Sequence, residues 1–284
     1  MKDIEKVKPF LRRFPVFYLW LQKIKLHINV YMIRLFGLGY TERTITDGPI
    51  RGFKFIAARR VHYSKWFWGG TYEKEACGFL QTIILPDAVC YDIGTNLGYH
   101  ALIMAEAAKN GHVYAFEPIP QVCEILQKNI NINHKQNITI VPKAVTREAG
   151  KIQLVRDTSI DQAAIKFAYE GKSLHMRGII ECDGVTLDGF AVEKKTPPSV
   201  IKIDVEGAEV DVLQGASSVL EQFHPLVLCE THGQLAARGV YKILHECGYE
   251  LFNVHEGVRP ITSVAEMPNN MDEGHVFARP KQGN

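Results

Sequence analysis

The chain lacks several features that would define its class at once. Its six cysteines, at positions 77, 90, 123, 182, 229 and 247, are dispersed, and no two of them have C-x-x-C spacing. This excludes a disulfide framework and a cysteine-based zinc site, and it favours reduced core cysteines. Apolar runs all fall short of the ~20 residues that a membrane span needs. No secretory signal with a cleavage site opens the sequence, so we expect a cytoplasmic location.

Charge of one sign is also scarce. The formal net charge is +2, and eight of the Lys and Arg residues lie within residues 1–40, so the remainder of the chain has no basic excess. The N-P-P-Y tetrad used on flipped bases is missing. Both absences argue against nucleic acid as a partner.

Residues 89–118 are the most informative segment that is present. A short apolar strand is followed by a turn containing Gly94 and Gly98, an alanine-rich helix and a second strand that ends in Glu117. Strands that alternate with helices predict a doubly wound, mostly parallel α/β sheet. Ligands bind at the carboxyl ends of such strands, where Glu117 would accept hydrogen bonds from ribose hydroxyls.

The glycine spacing decides which nucleoside the turn suits. A dinucleotide site has G-x-G-x-x-G, but here Asn96 occupies the middle glycine position and Asp92 precedes the turn. A pyrophosphate would meet the carboxylate of Asp92, whereas the positive charges of S-adenosylmethionine suit it. The predicted cofactor is therefore S-adenosyl-L-methionine, with S-adenosyl-L-homocysteine as product. An NAD-dependent dehydrogenase and a turn without a ligand are the alternatives.

A second strand, within residues 199–209, ends in three acids. Carboxylates there are costly to bury unless they are paired, so Asp204 and Glu206 are predicted to face a ligand crevice. Glu209 begins the next helix, where a negative charge near the N-terminus is favourable without any further role.

The following strand ends in Glu230 and His232. Imidazole titrates near neutral pH, which makes His232 the predicted general base. Asp204 and Glu206 are the other predicted catalytic residues; they would orient the acceptor hydroxyl, bind the methionine ammonium or act as the base themselves. A structural role for His232 stays open. Asp204 and Glu230 are candidate Mg²⁺ ligands, but no H-x-H or cysteine cluster supports them, so the predicted site has no metal.

Several strings together resemble the FkbM-type S-adenosylmethionine-dependent methyltransferase family. They are GTYE at 70–73, DIGTNLGY at 92–99, FEP at 116–118, TLD at 186–188, IKIDVEGAE at 201–209 and ETH at 230–232. The resemblance implies a class I, Rossmann-like methyltransferase fold with a seven-stranded sheet. It also implies O-methylation of a hydroxyl on a sugar, polyketide or other small metabolite.

The predicted cofactor-binding residues combine the turn, the strand ends and the matched strings. They are Tyr72, Glu73, Asp92, Gly94, Thr95, Asn96, Gly98, Glu117, Pro118, Ala144 and Asp204. Tyr72 and Glu73 enter through the resemblance alone, and Ala144 falls where class I methyltransferases contact adenine.

Residues 1–69 are predicted to form an apolar and basic N-terminal helical extension, and residues 70–284 the methyltransferase domain. Polar side chains lie on both sides of a helix built from residues 22–34. This favours a lid over the cofactor or a homodimer arm over contact with a membrane surface. The polar stretch 157–178 is predicted to be either a substrate loop or an ordinary connection.

The sequence thus predicts an S-adenosylmethionine-dependent methyltransferase with a small-molecule hydroxyl acceptor. N-methylation is the alternative among enzymes, and a non-catalytic binding or scaffold protein is the alternative outside them. His100, His112, His255 and His275 have no motif context and are predicted to be structural.

Overall fold

The computed structural model describes residues 40–58, 64–156, 163–165, 178–255, 257–268 and 274–281. The α-helices are α1 Ser64–Trp68, α2 Lys74–Ile83, α3 Tyr99–Ala107, α4 Pro120–Ile132, α5 Leu187–Lys194, α6 Glu209–Gln214, α7 Ser217–Phe223 and α8 Gln234–Glu246. The strands are β1 Tyr40–Thr44, β2 Lys54–Ala58, β3 Val89–Ile93, β4 His112–Phe116, β5 Ile138–Val141, β6 Ala144–Val145, β7 Gly150–Arg156, β8 Ala163–Ile165, β9 Gly178–Val185, β10 Val200–Ile203, β11 Leu226–Glu230, β12 Tyr249–Asn253, β13 Arg259–Ile261 and β14 His275–Pro280.

The main sheet has the strand order β13-β12-β14-β11-β10-β3-β4-β5. The five strands from β11 to β5 are parallel, while β14 is antiparallel to both β11 and β12. This confirms the predicted doubly wound, mostly parallel α/β fold. The carboxyl ends of the parallel strands therefore meet at one edge, where β14 begins.

The sheet has eight strands where the resemblance implied seven. The additional strand, β13, pairs antiparallel with the end of β12 at the sheet's edge. It follows a short turn that contains Gly257, whose φ is 103°. A three-residue edge strand of this kind carries too little periodicity to be recognised from sequence.

Alternate residues of the strands feed two cores, one on each face of the sheet. On β3, Cys90 packs into the core formed with α2, α3 and α4. Tyr91, its neighbour, packs into the core formed with α5 to α8. Because both faces are covered by helices, the central strands are apolar on both sides, as in other parallel sheets.

The described part of the predicted N-terminal extension departs from the helical expectation. Residues 40–58 form an antiparallel β-hairpin, β1 paired with β2, which we call the N-terminal hairpin. Its second strand buries Phe55 and Ala57 and turns Lys54 outward, an alternation with period two that favours a strand. Residues 1–39 and 59–63 lie outside the described residues, so the boundary at 69 and the role of residues 1–40 stay predictions.

A four-stranded sheet, in the order β6-β9-β7-β8, follows the main sheet's β5 edge in the chain. Strands β7 and β9 flank the predicted substrate loop, most of which lies outside the described residues. Across the parts of the chain that the structure describes, none of the helices has the length and apolar character that crossing a bilayer requires.

Candidate active site

The turn between β3 and α3, residues 92–98, is here called the glycine turn. Three of its residues have positive φ: Gly94 at 77°, Asn96 at 51° and Gly98 at 93°. A Cβ added to Gly94 would lie 1.8 Å from the backbone oxygen of Asp204, at the end of β10. The turn therefore needs glycine for two reasons, its left-handed backbone and the close approach of a neighbouring strand end.

Asp92 is fully buried at the start of the glycine turn. Its Oδ2 accepts a 2.6 Å hydrogen bond from the hydroxyl of Thr95. Its Oδ1 has no hydrogen-bond partner within the described part of the chain, and lies 3.7 Å from Nζ of Lys202. A buried carboxylate oxygen that lacks a donor is costly, and a ligand's cationic group would satisfy it.

Glu117 and the glycine turn are in direct contact. The Glu117 carboxylate accepts hydrogen bonds from the backbone N–H of Asn96, at 3.2 Å, and of Ile119, at 2.9 Å. These contacts fix the buried carboxylate at the carboxyl end of β4. Pro118, beside it, is half-buried, and Ala144 is buried in β6.

Lys202 joins the two strand ends electrostatically. Its side chain is 2% exposed, and Nζ lies 3.2 Å from Oδ2 of Asp204 as well as 3.7 Å from Asp92. Burial alone would lower the pKa of Lys202, but the carboxylates of Asp204 and Asp92 outweigh it and raise that pKa. The ammonium group is therefore charged, and it compensates for the burial of the two acids.

His232 lies at the centre of the second group of predicted residues. Its Nδ1 is 2.7 Å from Oε1 of the fully buried Glu209, which also accepts the N–H of Gly207 at 2.9 Å. Its Nε2 lies 3.7 Å from Glu206 and 3.8 Å from Asp204. Glu209 therefore has more than a helix-terminal role, because it fixes the orientation of the imidazole.

The surroundings of His232 shift its titration. Burial alone would lower the pKa, but the hydrogen bond to Glu209 and the carboxylates of Asp204, Glu209 and Glu206 outweigh burial and raise the pKa to about 9. Glu230, whose Oε1 is 3.6 Å from Nε2 of His232, shifts in the same direction. Burial and the nearby Asp204 raise the pKa of Glu230 to about 8.

Two histidines extend this group toward α2. His275 pairs with Glu230 in the sheet register, and its Nε2 lies 3.5 Å from that carboxylate and 3.1 Å from Glu73. Glu73 also contacts Nε2 of His100 at 3.1 Å. Burial alone would raise the pKa of Glu73, but His100 and His275 outweigh it and lower that pKa.

These residues form one continuous set, which we call the acid–histidine cluster. Its members are Glu73, Asp92, His100, Lys202, Asp204, Glu206, Glu209, Glu230, His232 and His275. The cluster contains more acids than basic side chains. A cationic ligand is the electrostatic complement of such a site, and S-adenosylmethionine, with its sulfonium and ammonium groups, fits this description.

The structure brings most of the predicted residues together and adds three that were not predicted. The glycine turn, Glu117, Asp204, Glu206 and His232 all lie at the carboxyl edge of the sheet. Their functional roles stay predictions. His100, His275 and Lys202 also belong to the cluster; the structural role that the sequence predicts for the two histidines stays a prediction. For Lys202 a sequence signal existed, since a lysine between two isoleucines in a buried strand requires an acidic partner.

Tyr72 has a different environment from the acidic members. It is half-buried and packs against Tyr99, with ring centroids 5.3 Å apart, and against Phe67 at 5.7 Å. It therefore lies beside the first turn of α3 rather than within the charged cluster.

Two subsets of the cluster have the composition of a metal site. In each, three candidate ligand atoms lie within 4.8 Å of one another; the sets are Asp204 with Glu206 and His232, and Glu73 with Glu230 and His275. Carboxylate oxygens suit Mg²⁺, and the imidazole suits Mn²⁺ or Zn²⁺.

A sheet of this order, with a glycine turn after its first central strand and acids at the neighbouring strand ends, defines a class I, Rossmann-like methyltransferase. The Methyltransferase FkbM domain model matches residues 92–251, more than half of the chain. The chain belongs to the FkbM family of S-adenosylmethionine-dependent methyltransferases, as the resemblance predicted.

Individual relatives are distant. The chain is 28% identical over 177 residues to the hexuronic acid methyltransferase AglP of Haloferax volcanii, covering 61% of this chain and 68% of that protein. It is 25% identical to Methyltransferase 1 of Beauveria bassiana, over 45% of this chain and 58% of that one. The crystal structure of a methyltransferase FkbM from Methylobacillus flagellatus matches with 14% identity and a TM-score of 0.44, over 69% of this chain and 44% of that chain.

We expect Gly94→Ala to destabilise the protein and to weaken S-adenosylmethionine binding by more than tenfold, because the new Cβ would overlap the Asp204 carbonyl. Denaturant unfolding and calorimetric titration measure the two effects. Gly52→Ala is the matched control, since its φ is also positive, at 88°, but its Cβ would meet no atom of the described residues within 4 Å. Equal losses of stability in the two variants would show that backbone strain, and not the close approach, makes glycine necessary.

Proposed function

We propose that this protein transfers the methyl group of S-adenosylmethionine to a hydroxyl group of a sugar or another small metabolite. The observation that carries the proposal is the position of His232, held by Glu209 among Asp204, Glu206 and Glu230 at the same sheet edge as the glycine turn. When bound, S-adenosylmethionine supplies a methyl group that is already activated by its sulfonium. The protein has to bind the cofactor, align the hydroxyl and accept its proton.

The two halves of the site would divide these tasks. Asp92, one of whose oxygens receives no hydrogen bond from the described residues, would bind the cofactor's ammonium group, and Glu117 would bind its ribose hydroxyls. On the other half, Nε2 of His232 would accept the proton of the acceptor hydroxyl. Asp204 and Glu206 would orient that hydroxyl and stabilise the imidazolium that forms.

The proposed acceptor class rests on a relative. AglP carries the name hexuronic acid methyltransferase, and a sugar hydroxyl agrees with a site that holds many hydrogen-bonding groups. We therefore propose a sugar as the acceptor. The name of the relative favours a uronic acid and the surplus of acids at the site favours a neutral sugar, so the acceptor assay compares both. Nucleic acid is not proposed as an acceptor, and a cytoplasmic location stays a prediction.

Calorimetric titration with S-adenosylmethionine, S-adenosylhomocysteine and NAD tests the cofactor assignment. We expect the first two to bind with a Kd on the order of micromolar and NAD not to bind. Transfer of a labelled methyl group to glucuronic acid, galacturonic acid, the matching neutral sugars and an amino sugar then tests the acceptor. Cofactor binding without transfer to any acceptor would favour the scaffold alternative, and transfer to nitrogen would favour N-methylation.

The raised pKa of His232 predicts the pH dependence of turnover. A general base acts in its neutral form, so kcat/KM should rise with pH toward the pKa of about 9. We expect His232→Gln to abolish this rise and to lower kcat by about 10²- to 10⁴-fold. Glu209→Gln should move the rise to lower pH, because the imidazolium loses its closest carboxylate. Glu193→Gln, at the surface, is the control; it should change neither kcat nor the pH at which kcat/KM rises.

The same shift has a consequence for stability. The pKa of His232 is higher in the folded protein than its ordinary value of 6.5. Its pairing therefore stabilises the fold fully below pH 6.5, and this contribution is lost as pH rises through about 9.

An unchanged pH profile of kcat/KM in His232→Gln would assign the role of proton acceptor to another residue. Asp204 and Glu206 would then be the next candidates.

Transfer assisted by a divalent cation is the second candidate mechanism. It is favoured by the three candidate ligand atoms of Asp204, Glu206 and His232, all within 4.8 Å of one another. A cation there would lower the pKa of the acceptor hydroxyl. This candidate predicts that excess EDTA abolishes turnover, that Mn²⁺ restores it, and that Glu206→Ala abolishes Mn²⁺ binding. Full turnover in EDTA would instead leave proton transfer to His232.

A further inference from the structure

Asn129, on α4, is a buried amide that joins three separate segments. Its Oδ1 accepts the backbone N–H of Ile56 at 2.7 Å, and its Nδ2 donates to the carbonyl of the same residue at 3.1 Å. The Nδ2 group also donates to the carbonyl of Leu97 at 2.9 Å. One side chain thus connects α4, the N-terminal hairpin and the glycine turn.

Asn133, one helical turn later, makes the same contact with the hairpin but does not contact the glycine turn. Its Oδ1 accepts the N–H of Lys54 at 2.9 Å, and its Nδ2 donates to the carbonyl of Lys54 at 2.7 Å. Its remaining bond goes to the carbonyl of Asn129, within α4, at 2.8 Å. The two asparagines dock alternate residues of β2 in the same way, and only Asn129 reaches Leu97.

Aromatic packing connects the same hairpin and turn by a second route. Phe55, fully buried on β2, lies 4.9 Å from Phe67 and 6.0 Å from Tyr99, measured between ring centroids. Tyr99 directly follows Gly98 and starts α3. The hairpin therefore packs against Tyr99, directly after the glycine turn, and it is linked through Asn129 to the carbonyl of Leu97 within that turn.

The Leu97 peptide is one that needs such an external contact. Its neighbours, Asn96 and Gly98, both have positive φ, at 51° and 93°. A turn with this backbone depends on its surroundings to hold a single peptide orientation. The hydrogen bond from Asn129 fixes the carbonyl end of this peptide unit. At its other end, the N–H of Gly98 donates to the carbonyl of Thr95 at 2.9 Å, so the two bonds together hold the peptide in one orientation.

We propose that Asn129 is a positioning residue for the cofactor, and that it makes the N-terminal hairpin part of the cofactor site. This inference rests on the proposed binding of S-adenosylmethionine at the glycine turn. A docked hairpin holds Asn129, and Asn129 holds the turn in its binding conformation. Because binding linkage is reciprocal, the cofactor in turn holds the hairpin against α4.

Calorimetric titration of the protein with S-adenosylmethionine tests whether Asn129 holds the glycine turn in its binding conformation. We expect Asn129→Ala to weaken binding by about tenfold, as for loss of a hydrogen bond to a buried group. The matched control, Asn133→Ala, removes the corresponding pair of hydrogen bonds to Lys54 of the hairpin and leaves the bond to Leu97 in place. It should bind within about twofold of the unsubstituted protein. Thermal melts of both variants show whether each is folded at the titration temperature.

Amide hydrogen exchange of the unsubstituted protein tests whether the bound cofactor holds the hairpin against α4, and it needs no variant. The N–H of Ile56 donates to Asn129, so S-adenosylmethionine should slow its exchange more than that of Lys54, which donates to Asn133.

Each remaining outcome is decisive. Unchanged affinity in Asn129→Ala, equal losses in the two variants, or equal protection of the two amides would overturn the positioning role while leaving the methyltransferase proposal intact. If Asn129→Ala does not fold, the amide hydrogen exchange of Ile56, compared with that of Lys54 in the unsubstituted protein, tests the positioning role. Failure of the unsubstituted protein to bind the cofactor would overturn the proposed function, and this inference with it.

Discussion

The buried ammonium group of Lys202 is the interaction on which the site depends. It lies on β10, the central strand, between the carboxylates of Asp92 on β3 and Asp204 at the end of β10 itself. Two ionised acids at adjacent strand ends would repel each other and would be costly to bury. Lys202 offsets that cost, so the glycine turn can approach Asp204 closely enough that only glycine fits at position 94.

The other charged groups of the site are also arranged as pairs of opposite charge. Each histidine of the acid–histidine cluster contacts a carboxylate, His232 with Glu209, His275 with Glu73 and Glu230, and His100 with Glu73. Such pairs raise the pKa of each imidazole. Burial and Lys202 alone would lower the pKa of His100, but Glu73 and Cys77 outweigh them and raise it to about 10. A surplus of acid nevertheless remains at the sheet edge. That surplus suits a cationic cofactor, and its carboxylates raise the pKa of His232, the proposed proton acceptor.

The hairpin and the sheet edge show two ways of supporting a binding turn. The charged cluster holds the turn from the side of β10, through backbone approach and ion pairs. On the side of α4, Asn129 holds it through a hydrogen bond to Leu97, and the same amide pairs with the backbone of Ile56 in the hairpin as a neighbouring β-strand would. Neutral hydrogen bonds between well-packed groups add no charge to the site, so they position the turn without disturbing the electrostatics that the cofactor needs.

The sequence by itself determined the local parts. Glycines at 94 and 98, apolar strands with acids at their ends, and the strings shared with the FkbM family were enough to predict the doubly wound, mostly parallel sheet, a methyltransferase of the S-adenosylmethionine-dependent class, and the proximity of Glu117 and Asp204 to the glycine turn. Only the tertiary structure decided which charged side chains contact one another. Glu73 and His275 are 202 positions apart, and they meet because β14 runs antiparallel to β11 and begins at the edge where the parallel strands end. Side-chain pairing of this kind depends on strand order and register, which no short segment of sequence encodes.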